Sequence, residues 1–163
     1  MSKRITLKIS LAIVAVGLVL SFLSCMKDEK KIIGVWKYEK TELREFSCSH
    51  PIVTANAKPL AEQYFAGTIT GEVEFTEDGK AIFVSSEYGE VMATYTLSNN
   101  KLTIVTPIRT EISEISFSDK KTMCLTRDAD TLTLNALHQY LQRSFELKVE
   151  ITKCNIVTTL TKK

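Results

Sequence analysis

The chain has 163 residues, with 21 Lys and Arg against 19 Asp and Glu, and four cysteines. That length fits one domain, since domains commonly run about 100–150 residues, and the near balance of charge argues against the basic stripe that a nucleic-acid partner requires. The net charge of +2 belongs to the amino terminus, because without Lys3, Arg4 and Lys8 the rest of the chain carries −1.

Those three cations precede a nearly unbroken apolar run from Ile9 to Leu20, the pattern of an export signal. Ile9 to Ser24 is 16 residues, short of the roughly 20 that a membrane-spanning helix needs. The lack of a polar face also excludes an amphipathic surface helix. The run ends in Phe22-Leu23-Ser24-Cys25, which resembles the lipobox of bacterial lipoproteins, with Phe22 where most such boxes have leucine. The resemblance implies cleavage after Ser24 and acylation of Cys25, the membrane being the first expected partner. Two or three acyl chains hold firmly, whereas one chain, at about 0.8 kcal/mol per buried methylene, holds only marginally. Lys27-Asp28-Glu29 then resembles the surface-export signal of Bacteroidetes lipoproteins, which implies the outer face of the outer membrane. As plain charge the same residues make a solvated linker, and the periplasmic face stays open. Residues 1–24 are therefore expected to be a signal, 25–31 a lipidated tether, and 32–163 the folded domain.

The first strand is expected from Val35 to Leu43, where Trp36 and Tyr38 alternate with Lys37 and Glu39. Pro51, Pro59 and Ser47-Cys48-Ser49-His50 mark Phe46 to Pro59 as a loop, with a short helix at Leu60 to Phe65. From Thr68 the alternation is strict, placing Ile69, Gly71, Val73 and Phe75 on one face, and Thr76-Glu77-Asp78-Gly79 turns the chain. Ala81 to Ser85, a turn at Glu87-Tyr88-Gly89, and an inner face of Val91, Ala93, Tyr95 and Leu97 follow. Ser98-Asn99-Asn100 makes the next turn, Leu102 and Ile104 mark the fifth strand, and Pro107 ends it. Strands at Ile112 to Phe117 and Thr122 to Arg127 come next. Asp128 to Arg143 is a short helix or an irregular insert, with Leu134, Leu137, Leu141 and Phe145 at helical spacing. Phe145, Leu147, Val149 and Ile151 then begin a last strand. The sum is an all-β chain of eight short strands, expected to close as an up-and-down antiparallel barrel that leaves no exposed edge.

Gly34-Val35-Trp36 opening the first strand, with Glu74 to Lys80 and Tyr95 to Leu102, resembles the lipocalin-like domains of Bacteroidetes lipoproteins. The resemblance implies that Gly34 and Trp36 close one end of the barrel. In lipocalins an arginine from the last strand often stacks over that tryptophan, and here the last strand departs from the pattern by offering Lys153, Lys162 or Lys163 instead. Two functions are compatible with such a barrel. In one, the inner face (Tyr38, Val73, Phe75, Tyr95, Leu97, Leu102, Ile104, Phe117 and Val149) encloses a small apolar ligand. In the other, the barrel is filled, and the Phe46 to Pro59 loop or the Asp128 to Arg143 segment contacts an envelope protein or a glycan.

Catalysis is not expected. His50 and His138 are the only histidines, neither lies in a nucleophile motif, and no phosphate loop or His-Glu-x-x-His pattern occurs. Cys48-Ser49-His50 lacks the paired ligand units of structural zinc sites, so no metal or cofactor is expected. With Cys25 lipidated, three cysteines remain, giving either one bridge and a free thiol or no bridge. Cys124 and Cys154 fall on one face by alternation, which leaves a bridge between them open. Asp130-Thr131-Leu132 resembles a Bacteroidetes O-glycosylation site and reads equally as a turn entering an ordered segment.

Overall fold

A computed structural model describes residues 30–68, 70–85, 89–145 and 149–163. The export signal, Cys25 and Lys27-Asp28-Glu29 lie outside the described residues. Contacts divide the chain into two units, Met1–Ile33 and Gly34–Lys163, and the barrel with both of its helices belongs to the second.

Eight strands close into a barrel in sequence order: β1 (Gly34–Cys48), β2 (Glu72–Phe75), β3 (Lys80–Ser85), β4 (Gly89–Ser98), β5 (Lys101–Val105), β6 (Thr110–Phe117), β7 (Thr122–Asp128) and β8 (Ile151–Lys162). Every pairing is antiparallel, and β1 meets both β2 and β8. The expected fold class is therefore the observed one. Asn99 and Asn100 take φ of 50° and 60° at the β4–β5 turn, the positive angles that a tight hairpin with right-handed twist demands.

β1 is longer than its alternation suggested. Its inward residues are Trp36 and Tyr38, then Thr41 and Leu43, then Phe46 and Cys48. Register shifts against β8 fall between Tyr38 and Lys40, Leu43 and Glu45, and Ser47 and Cys48. Each of the first two bulges inserts one residue and reverses the parity of the inward face. A strict period of two therefore fails at Lys40 and at Glu45, although the strand continues.

The loop expected at Phe46 to Pro59 is corrected by the structure, which ends β1 at Cys48 and begins helix α1 (Pro51–Thr68) after only Ser49 and His50. Pro51 occupies the helix start, where its missing N–H costs nothing. Pro59 lies inside the helix, at a penalty of about 3 kcal/mol for an interior position. Packing offsets it: Val53, Ala57, Ala61 and Phe65 form a stripe at helical spacing, and the small alanines let the helix lie close to the sheet. Thr54 ties the two elements together, its Oγ1 accepting from Cys48 N at 2.8 Å.

Helix α2 (Thr131–Gln142) fills the segment before the last strand. Asp130 is its N-cap, accepting from Thr133 N at 2.7 Å, a contribution of about 0.5–2 kcal/mol. Burial raises the Asp130 pKa, but hydrogen bonds from Thr133 and the Arg109 and Arg127 charges outweigh it, leaving the group below the usual carboxylate range. The cap therefore stabilises at neutral pH and is lost as pH falls through that depressed value. Leu137 and Leu141 join the α1 stripe, Leu43, Cys154 and Ile156 in one apolar cluster. β8 begins at Ile151 rather than Phe145, because Phe145 N still bonds to Leu141 O at 3.1 Å. Val149 packs into the helix-side cluster rather than extending the strand.

Candidate functional site

One end of the barrel is plugged. Trp36 is fully buried, its ring centroid 6.1 Å from that of Phe117, and Lys162 Nζ stands 5.2 Å from the indole centroid. Of the three lysines the sequence offers for this place, Lys162 occupies it. Gly34 makes the approach feasible, since a Cβ there would come 3.0 Å from Lys162 Cε. Val73, Leu97 and Leu102 fill the same region, and Tyr95 stacks edge-on against Phe75 while its hydroxyl donates to Thr76 O at 2.9 Å.

Above the plug the barrel is open, with a cavity of about 650 Å³, within the roughly 300–1,000 Å³ of small-molecule sites. Tyr38, Phe75 and Ile104 line it, together with Phe83, Val91 and Leu125. Val73, Tyr95, Leu97, Leu102 and Phe117, also expected on the inner face, stand in the plug, and Val149 stands in the helix cluster. At the mouth, Ile108 is 84% exposed and Leu132 56%, an apolar rim beside an apolar interior. A second groove of about 620 Å³ lies along α1 and β1, where Glu42, Arg44 and Glu62 border it.

The cavity wall also carries a polar cluster that alternation alone does not single out. Glu111 bridges two arginines: Arg127 Nε lies 3.1 Å from its Oε1, and Arg109 Nη2 lies 3.0 Å from its Oε2. Arg109 Nη1 is 3.9 Å from Asp130 Oδ2. Tyr38 stands nearby, and burial first, then the Glu111 charge, push its hydroxyl well above its ordinary pKa against the opposing pull of Arg127 and Arg109. It is therefore a neutral donor at physiological pH. Parity could have found two of these groups. Glu111 keeps step with Ser113, Ile115 and Phe117, and Arg127 with Met123 and Leu125, all inward. Arg109 sits in the β5–β6 turn, where no alternation applies.

The bridge left open between Cys124 and Cys154 is corrected to two free thiols, and Cys48 is free as well. Cys124 pairs with Thr159, five positions along β8 from Cys154, or about 17 Å at strand rise. A disulfide tolerates a Cα separation of only about 7 Å. Cys154 is buried in the helix-side cluster, and burial pushes its thiol up to about 11. Cys48 is buried in the same cluster, and His50 Nδ1 accepts from Ile52 N at 3.3 Å. Neither a protein-family model nor a curated protein matches the chain, so the functional reading rests on the barrel and its cavity.

Proposed function

We propose that this chain is a membrane-anchored lipoprotein of lipocalin-like type, and that its barrel binds one small, largely apolar molecule without catalysing a reaction. The observation that carries the binding reading is the cavity of about 650 Å³, walled by Phe75, Phe83, Val91, Ile104 and Leu125 and rimmed by apolar side chains. Water against such a wall is released when an apolar ligand enters, at roughly 25 cal/mol per Å² of apolar surface covered. The alternative, a filled barrel acting through the Phe46 to Pro59 loop or the Asp128 to Arg143 segment, has less behind it, because the first is strand and helix and the second is mostly helix α2.

Anchoring rests on the apolar run ending at Cys25, and surface display on Lys27-Asp28-Glu29. Cys25→Ala is expected to move the protein from the membrane fraction to the soluble fraction of fractionated cells. Retention in the membrane would contradict the anchor. External protease should remove the domain from intact cells, and survival of the domain would place it on the periplasmic face.

For ligand binding the test is a titration with N-phenyl-1-naphthylamine, a neutral apolar fluorophore. The protein used is residues 25–163 with Cys25→Ser, which removes only the acyl chains. Saturable enhancement at one probe per chain is expected. A linear, unsaturable response would sink the reading.

A further inference from the structure

We propose that the Arg109, Glu111 and Arg127 cluster is a head-group site, and that the bound molecule is a single-chain amphiphile with one compact carboxylate head. This rests on the binding reading above and specifies the chemistry of one end of the ligand.

The first reason is charge. Among the described residues, the ionised side chains lining the cavity are Arg109, Arg127 and Glu111, one positive charge in excess. Asp130, from outside the cavity wall, offsets part of that excess. Its carboxylate caps α2 at 2.7 Å, approaches Arg109 only at 3.9 Å, and is not part of the cavity wall.

The second reason is hydrogen-bonding capacity. The Arg127 side chain is only 10% exposed, and Nε is the atom that meets Glu111. Glu111 is its ion-pair partner among the described residues, and the guanidinium lines both this cavity and a groove bordered by Arg44, Glu114 and Asn155. A nearly buried guanidinium is costly unless it is paired and hydrogen-bonded, and a carboxylate satisfies two parallel N–H groups of such a fork. Tyr38, a neutral donor on the same wall, supplies a third bond. A cationic head would face two guanidiniums, and a hydroxyl head would return less to the donors that it desolvates.

The third reason is the layout. Arg109 directly follows Ile108 at the mouth, so the cluster lies beside the rim, and Phe83, Val91, Ile104 and, toward the plug, Phe75 give the cavity its apolar wall. A polar head at the cluster therefore leaves an apolar tail along an apolar wall. Glu111 is a positioning residue in this scheme, since it holds both guanidiniums by separate oxygens.

Calorimetric titration of the Cys25→Ser protein with decanoate, decanol and decyltrimethylammonium tests the assignment. Decanoate is expected to bind at least about tenfold tighter than decanol, in line with the roughly 1.5–3 kcal/mol that hydrogen bonds to charged groups contribute. Arg127→Gln should collapse that ratio to about two or less. If that variant does not fold, Arg109→Gln and Tyr38→Phe should each cut the ratio by roughly three- to tenfold. Equal binding of decanoate and decanol, or tighter binding of the cation, overturns the carboxylate assignment while ligand binding stands. Failure of all three, together with failure of the naphthylamine probe, overturns the assignment and the binding reading together.

Discussion

Trp36→Ala is expected to lower the unfolding free energy by about 3–5 kcal/mol, the range for truncating a fully buried large aromatic side chain. The indole is completely covered and lies between the Phe117 ring and the Lys162 ammonium, so no single neighbour can swing in to refill its volume. Lys162 also loses the ring face beneath its charge, a contact of about 0.5–2 kcal/mol. Guanidinium denaturation followed by far-ultraviolet circular dichroism measures the change, since the chain has only this tryptophan and the variant cannot be followed by its fluorescence. A loss below about 1 kcal/mol would mean that the plug is not where the barrel is held shut. Trp36→Phe should recover much of the loss, because an aromatic ring still faces Phe117.

Gly71→Ala is the second large effect, with an expected cost of about 3 kcal/mol or more. Gly71 has φ of +103°, and a Cβ there would lie 2.2 Å from the Val84 carbonyl oxygen. That oxygen belongs to a strand paired with β2 and β4, so the clash can be relieved only by moving backbone. Tyr38 N donates to Gly71 O at 3.1 Å, which carries any such movement to a cavity-lining residue. Gly89 provides the control: its φ is +71°, yet nothing lies within 4 Å of the added Cβ. Gly89→Ala should therefore cost only the conformational penalty of roughly 1–2 kcal/mol. Equal midpoints for the two variants in urea would show that backbone contact at Gly71 is not what distinguishes them.

Much of the barrel was legible because most strands obey a period of two with turns at expected places, as at Val73 and Phe75 or Leu102 and Ile104. What escaped has physical causes. The bulges in β1 reverse the inward parity twice, so Phe46 and Cys48 look like loop although they continue the wall. The stripe of Val53, Ala57, Ala61 and Phe65 was masked by Pro51 and Pro59, which local reasoning treats as breakers, whereas the apolar cluster beneath the helix overrides them. For the cysteines, alternation fixes only the face within one strand, and the offset of Cys124 from Cys154 depends on the β7–β8 register. Tyr38, Phe75 and Ile104, inward by alternation, line the cavity. Arg127 and Glu111 share inward parity with apolar neighbours, but an apolar pattern search passes over charged residues. Their meeting depends on the β6–β7 pairing that closes that side of the barrel.

The measurement that bears most directly on a ligand-holding barrel is the naphthylamine titration repeated on Val91→Trp. Val91 lines the cavity and is 41% exposed at its mouth, so a tryptophan there occupies the opening without entering the plug. Probe affinity is expected to fall at least about tenfold, a loss of roughly 1.4 kcal/mol, while the denaturation midpoint stays near that of the parent protein. Unchanged probe affinity in a folded Val91→Trp protein would contradict the account, because the probe would then be bound somewhere other than the barrel.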